Sequence, residues 1–234
     1  QVAVSRLGVS PAGLARMLAS AAQAAGHDHA VSAASAAAAA AALDRLARLT
    51  LLQTHHNGAA QAQRWTAQGL AELQPERYRT CCLRAAHYRL WRLEHESQAY
   101  EDLLEALRNG LDGQDYDLAT ALAQQCFAYL TRQQQTWGIA ALAAEILETL
   151  PHAHGAYAVI ADAEAQAHLA LGQTDQALRR SQELLLRQQE RVRDQPESSD
   201  AQRTLSVLYE RMGDLYRALG RGEEAAAAYG KALA

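Results

Sequence analysis

The most informative stretch of this sequence runs from Leu205 to Leu233 and reads LSVLYERMGDLYRALGRGEEAAAAYGKAL. Its first half places apolar residues at steps of three and one, which puts them on one face of a helix. These residues are Leu205, Leu208, Tyr209, Met212, Leu215, Tyr216 and Leu219. Gly220 and Gly222 interrupt the pattern, and small and apolar residues resume it at Ala225, after two acidic residues that suit the first turn of a helix. The stretch therefore predicts two antiparallel helices joined by a tight turn.

The same stretch resembles a tetratricopeptide repeat (TPR). The residues at the family's signature spacing are Tyr209, Gly213, Tyr216, Gly220, Ala225, Tyr229 and Ala232. A degenerate copy precedes them, with Ala161, Ala165, His168, Gly172, Ala177, Ser181 and Leu184 at the same relative positions. Each member lies 48 residues before its counterpart, as Gly172 does before Gly220. The usual period of the family is about 34 residues, so we assign the excess to a long second helix, residues 175–193, and a linker containing Pro196.

The sequence before residue 75 has a different organisation. Ser10 and Pro11 form a helix start, with Leu14, Met17 and Leu18 on the apolar face of a helix over residues 11–25. A second helix runs through an alanine-rich tract to residue 49. Residues 50–53 are typical of a short strand, residues 55–58 (HHNG) of a turn, and a further helix starts near residue 64. Helix, helix, small hairpin, helix is the outline of a winged helix.

This outline carries a second resemblance. LDRLARLTLL (residues 43–52) and RWTAQGLAELQPERYRTCCLRAAHYRLWR (residues 64–92) look like the region after the nucleotide-binding core of bacterial STAND NTPases, signal-transduction ATPases related to NB-ARC receptors. The resemblance implies an upstream ATPase domain in the same polypeptide. No G-x-x-x-x-G-K-[ST] motif occurs in this chain, so we do not expect it to hydrolyse ATP through a P-loop.

Composition and charge argue against several classes of partner. A net charge of −4 and a pI near 6.1 give no electrostatic footprint for nucleic acid. The longest apolar run, residues 33–43, is rich in alanine and is too weakly hydrophobic to span a membrane. Three cysteines, an odd number with two adjacent, favour a reducing compartment. We therefore expect a cytoplasmic protein that contacts neither nucleic acid nor membrane.

No motif predicts catalysis or a cofactor. The histidine pairs 27/29, 55/56 and 152/154 suggest either a metal site or surface loops, and surface loops are favoured because no cysteine or histidine stands at a zinc-site spacing. Cys81 and Cys82 lie within a helical pattern, where core packing is favoured over a nucleophile. No G-x-S-x-G elbow is present. We expect no enzyme activity, no metal and no cofactor.

In the TPR family, ligands usually bind in the groove lined by the first helix of each repeat. The resemblance places these residues there: Asp162, Gln166, Leu169, Val207, Glu210, Asp214 and Arg217. The set is mainly acidic, which favours a polar or basic peptide. The family's carboxylate clamp of Lys, Arg and Asn is not matched. The alternative is that these residues only keep the surface hydrated.

The fold expectation is an all-α chain. It comprises a winged-helix-like module with a small β-hairpin (residues 1–74), a helical connector with degenerate repeats (75–155) and TPRs in a superhelical solenoid (156–234). The expected function is a protein–protein interaction scaffold, acting as the sensor arm of a larger STAND-type ATPase that binds a trigger protein or peptide. The alternatives are a simple adaptor, or the targeting region of an effector enzyme. Because the chain begins with Gln1 rather than Met, we expect it to be part of a longer protein.

Overall fold

The computed structural model describes residues 12–17, 33–49, 52–54, 60–62, 64–96 and 99–233. In these residues the chain is helical apart from one short hairpin, which confirms the all-α prediction. Residues 12–17 belong to helix α1. The other elements are α2 (Ala33–Arg48), β1 (Leu52–Thr54), β2 (Ala60–Ala62), α3 (Arg64–Leu73), α4 (Pro75–His95), α5 (Tyr100–Asp112), α6 (Tyr116–Arg132), α7 (Thr136–Thr149), α8 (Ala156–Ala170), α9 (Thr174–Asp194), α10 (Ser199–Ala218) and α11 (Gly222–Ala232).

The chain divides into two compact units, Gln1–Cys126 and Phe127–Ala234, and the division falls inside α6. The predicted boundaries at residues 74 and 155 do not coincide with it, and the three-part organisation stays a prediction. Among the described helices, none combines the length and apolar character needed to cross a membrane.

In the N-terminal unit, α1, α2, β1 and α4 share one hydrophobic core. Leu14 and Met17, predicted on the apolar face of the first helix, are buried there with Leu43 and Cys82. A small hairpin is present, with Leu52 paired to residue 62 in an antiparallel register, and its first strand overlaps the predicted residues 50–53 only in part. Its turn, residues 55–58, lies outside the described residues, as do Ser10, Pro11 and Leu18.

The packing of α4 on α5 includes a buried ion pair that hydrophobic spacing does not indicate. The guanidinium of Arg89 on α4 donates to Oδ1 of Asp102 on α5 at 2.9 Å, and both side chains are almost fully buried. Arg92 reaches the same oxygen at 3.3 Å. Towards the start of α4 and the end of α5, the Tyr78 hydroxyl lies 3.5 Å from a carboxylate oxygen of Asp112. The two helices are therefore antiparallel, with a polar contact inside their interface.

One type of turn recurs after α5, α6, α8 and α10. Its left-handed residues are Gln114, Gln134, Gly172 and Gly220, with φ of 59°, 56°, 74° and 72°. In each case the next residue donates its backbone N–H to the carbonyl five positions earlier, at 2.8–3.0 Å: Asp115 to Gly110, Gln135 to Leu130, Gln173 to His168 and Arg221 to Tyr216. This is the Schellman pattern of helix termination. The turns therefore give successive helix pairs the same reversal of direction.

Two helix ends differ from what the local sequence favours. Asn109 and Gly110 are typical of a helix C-terminus, but α5 continues to Asp112. A Cβ on Gly110 would lie 3.5 Å from Ala119 of α6, so this glycine serves close packing and the left-handed turn follows four residues later. At the start of α10, Ser198 is the capping residue and its side chain accepts from the N–H of Ala201. Ser199 and Asp200 also have side chains that can cap a helix, but they lie within α10.

The predicted offset of 48 residues is confirmed in the C-terminal unit. Gly172 and Gly220 have the same left-handed conformation and the same hydrogen-bonded turn. The elongation lies where it was expected, because α9 runs over 21 residues, Thr174–Asp194. Helices α8 to α11 pack in sequence, each against the next. The buried side chains of this unit include Ile160, Ala177 and Met212.

The three cysteines differ in burial. Cys82 and Cys126 are fully buried and Cys81 is half-buried, which agrees with the packing interpretation of the Cys81–Cys82 pair. Burial raises the pKa of the Cys126 thiol to about 12, against a smaller opposing effect of Arg108. Cys126 is therefore held as the uncharged thiol at all ordinary pH values.

We expect native protein at pH 8 to alkylate at Cys81 well before Cys126. The thiolate is the reactive species, and the raised pKa of Cys126 leaves almost none of it. Iodoacetamide labelling followed by peptide mass spectrometry measures both sites. In guanidinium chloride all three cysteines should react at similar rates, which provides the control. Equal labelling of Cys81 and Cys126 in the native protein would contradict the assigned burial.

Candidate functional site

The predicted groove residues are brought together only in part. Asp162, Gln166 and Leu169 of α8 and Asp214 of α10 line one depression of about 360 Å³ between these two helices. We call this depression the α8–α10 groove. It therefore brings together four of the seven predicted residues.

Small side chains make room for the groove. Its remaining lining residues are Ala165, Ala170, Ala177, Ser181, Arg211 and Leu215. Ala165 and Ala177 are buried in its floor, whereas Ala170 is exposed at the end of α8. Because an alanine leaves space that a leucine would fill, these small side chains leave room for the depression. The floor can accept an apolar side chain.

The polar part of the groove is built around Asp162. Its carboxylate forms an ion pair with Arg211 and accepts a hydrogen bond of 2.9 Å from Nε2 of Gln166. Arg211 was not among the residues predicted from the sequence. The repeat offset of 48 residues could have indicated this ion pair. It aligns Arg211 with residue 163, which is next to Asp162, so the two side chains are expected at similar heights on the first helices of neighbouring repeats.

Asp214 is the second acid of the groove and is also paired. It accepts from the hydroxyl of Tyr229 at 2.7 Å and from the guanidinium of Arg217 at 3.0 Å. The hydrogen bond to Asp214 raises the pKa of the Tyr229 hydroxyl. With Arg211 on Asp162 and Arg217 on Asp214, the groove is less acidic than the predicted residues alone indicated.

Three predicted residues do not line the cavity. Val207 and Glu210 are exposed on α10. Arg217 contacts the groove indirectly, because it forms an ion pair with the lining residue Asp214. Val207 has a counterpart in Val159, 48 residues earlier, which is also exposed. These positions are therefore available as a rim beside the groove.

The histidine pairs fall in different parts of the chain. Residues 27, 29, 55 and 56 lie outside the described residues. His152 and His154 are described: Nδ1 of His152 accepts from Arg187 at 2.7 Å, and Nδ1 of His154 lies 3.3 Å from the N–H of Ala156. Within the described part of the chain, no group of three or more His, Cys, Asp or Glu side chains is placed to hold a metal ion.

Comparisons with known proteins add a distant structural similarity. No protein family and no curated protein matches the sequence. A solved structure described as BtubC (BKLC) from P. vanneervenii aligns with a TM-score of 0.45 and 16% sequence identity. The alignment covers 72% of this chain and 66% of BtubC, so the chain spans slightly less than two thirds of that protein's length.

Proposed function

We propose that this chain is a non-catalytic, cytoplasmic interaction module that binds a short segment of a partner protein in the α8–α10 groove. The observation that carries the proposal is the cavity of about 360 Å³ between the first helices of two successive repeats. Its apolar floor and its ion-paired edge suit one inserted apolar side chain flanked by polar groups.

The ion pairs at the edge are suited to exchange with a ligand. The Arg211 side chain is 45% exposed and that of Asp162 is 17% exposed; because Arg211 stays in contact with solvent, we assign the pair a small contribution to stability, about 0–1 kcal/mol. A ligand carboxylate can therefore replace Asp162 on Arg211, or a ligand cation can replace Arg211 on Asp162, at small cost. The acids alone favoured a polar or basic peptide, and the paired arginines make the preference for basic side chains weaker.

The finer part of the proposal is that the module belongs to the TPR family and serves as the sensor arm of a STAND-type ATPase. The recurring left-handed turn and the repeat offset support the TPR assignment. Support for the STAND role is the sequence resemblance of residues 43–92, with a winged helix as the implied fold of the N-terminal module. A P-loop encoded upstream of Gln1 would support the sensor role; its absence from the full gene would favour a simple adaptor.

The groove is tested by filling it. Ala170→Arg places a long side chain in the groove from an exposed position, so the fold should be retained. Peptides selected by phage display on the wild-type chain should bind this variant at least about tenfold more weakly, a loss of about 1.4 kcal/mol. Fluorescence anisotropy with labelled peptides measures the affinity.

The matched control is Ala218→Arg. Ala218 is the equivalent exposed last residue of α10, 48 positions later, and lies outside the groove. The affinity of the Ala218→Arg variant for the selected peptides should stay within about twofold of that of the wild type. Equal affinities of the two variants, or a failure of the wild type to select any peptide, would contradict the proposed function.

A further inference from the structure

A second depression of about 420 Å³ lies among α9, α10 and α11 and shares no residue with the α8–α10 groove. We call it the α9–α11 groove. Its walls are formed by residues between 182 and 189 of α9 and between 224 and 231 of α11, and its floor is Tyr209, Met212 and Tyr216 of α10. Each wall follows the spacing of one helical face, and the groove therefore runs along the helices for about two turns.

The two tyrosines of the floor have the same surroundings. The Tyr209 hydroxyl accepts from Nε2 of Gln189 at 2.5 Å, and Nζ of Lys231 lies 5.6 Å from the centre of its ring. The Tyr216 hydroxyl accepts from Nε2 of Gln182 at 3.4 Å, and the guanidinium of Arg221 lies 4.8 Å from the centre of its ring. Each tyrosine thus has a glutamine amide that donates to its hydroxyl and a cation close to its ring.

This arrangement favours an acceptor with negative charge. A tyrosine hydroxyl that accepts from an amide N–H still has its own hydrogen to donate. Lys231 and Arg221 are two cations against the single carboxylate of Glu224, which pairs with Arg221, so these three groups carry one net positive charge. A carboxylate is the protein group that accepts hydrogen bonds and is attracted by this charge.

The spacing of the two ends matches one helical ligand. Tyr209 and Tyr216 are seven residues apart on α10, which corresponds to about 10.5 Å along the helix axis. Carboxylates at positions i and i+7 of a second helix have the same separation and lie on the same face. The apolar lining of the groove includes Met212, two alanines of α11 and Leu186, whose side chain is 62% exposed.

We propose that the α9–α11 groove binds an amphipathic helix of a partner protein that carries an apolar side chain between two carboxylates spaced seven residues apart. The carboxylates bind the hydroxyls of Tyr209 and Tyr216 and are attracted by Lys231 and Arg221. The apolar side chain covers Leu186 and Met212. This interaction is separate from the function proposed for the α8–α10 groove.

The test uses two designed alanine-rich helical peptides. The first contains Glu-x-x-Leu-x-x-x-Glu, and in the second both glutamates are lysine. The wild-type chain should bind the acidic peptide at least about tenfold more tightly, measured by fluorescence anisotropy at low salt. Leu186→Glu should lower the affinity for the acidic peptide about tenfold. The double variant Tyr209→Phe with Tyr216→Phe should lower it about fivefold, because two hydroxyl donors are lost.

Two variants are controls. Val159→Glu makes the same kind of change at an exposed aliphatic position of α8, and Ala170→Arg fills the α8–α10 groove; both should leave the affinity of the acidic peptide unchanged. Circular dichroism verifies that all variants remain helical. A loss of affinity in Ala170→Arg equal to that in Leu186→Glu would place the peptide elsewhere and overturn the inference, without affecting the proposed function.

Other outcomes also overturn the inference. These are equal affinity for the two peptides, wild-type affinity of Leu186→Glu, and no binding of the acidic peptide. If the acidic peptide does not bind but Leu186→Glu abolishes a self-association seen by sedimentation velocity, the occupant of the groove is a second copy of the chain.

Discussion

The Asp102→Ala variant is expected to lose about 3–5 kcal/mol of unfolding free energy, because it removes a buried carboxylate that pairs with the buried guanidinium of Arg89. Arg89 is 1% exposed, so water cannot replace the lost partner. Arg92, which contacts the same oxygen at 3.3 Å, loses a partner as well. Denaturant unfolding followed by circular dichroism measures the change.

Two further variants separate the ion pair from general effects of substitution. Glu101→Ala removes a neighbouring but exposed acid from the same helical turn and should cost at most about 0.5 kcal/mol. Replacing the pair by apolar residues, Arg89→Met with Asp102→Leu, should recover most of the stability, since a buried pair and a well-packed apolar pair differ little in free energy. If Asp102→Ala behaves like Glu101→Ala, the ion pair is not a determinant of the α4–α5 interface.

Gly213→Ala is expected to destabilise the C-terminal unit by about 1–3 kcal/mol, the usual cost of overpacking. A Cβ at this position would lie 2.6 Å from Cδ1 of Tyr229, and the ring would have to move away from α10. The movement would also break the hydrogen bond of 2.7 Å from Tyr229 to Asp214, at the edge of the α8–α10 groove. Thermal and denaturant unfolding measure the loss.

Gly230→Ala provides a control of opposite sign. Gly230 lies within α11, and a Cβ there would meet no atom within 4 Å. Alanine is the better helix former, so this variant should be about 0.5–1 kcal/mol more stable than the wild type. The double variant Gly213→Ala with Tyr229→Leu should be less destabilised than the sum of the single changes, because the smaller side chain relieves the contact. Strict additivity would show that the Tyr229 ring is not what the new methyl group meets.

The two variants differ in their expected effect on the proposed binding surfaces. Asp102 and Arg89 belong to the N-terminal unit and line neither groove, so their loss should act on stability alone. Gly213 permits the close approach of Tyr229, which in turn holds Asp214. A decrease in peptide affinity of Gly213→Ala at a temperature where it remains folded would therefore be expected from the altered groove edge.

The features that the sequence alone determined are local. Helical periodicity placed the apolar face of α10, and two glycines in the same relative position predicted the turns at Gly172 and Gly220. The short hairpin beginning at Leu52 was also recognisable from its change of period. These predictions succeeded because a helix face or a left-handed turn depends on residues within a few positions of one another.

The tertiary structure alone decided two kinds of feature: contacts between helices that are distant in sequence, and the backbone conformations that packing imposes. Gln114 and Gln134 take left-handed positions without the glycine that would have signalled them. From the sequence, Arg89 would be expected at the surface, but α5 places Asp102 beside it in the helix interface. Arg211 lies at the α8–α10 groove, where it forms an ion pair with Asp162, which is 49 residues earlier. The α9–α11 groove arises from three helix faces that each look like ordinary exposed or core surface. Periodicity tells which face of a helix is apolar, but the side chain opposite it depends on the packing of the neighbouring helix.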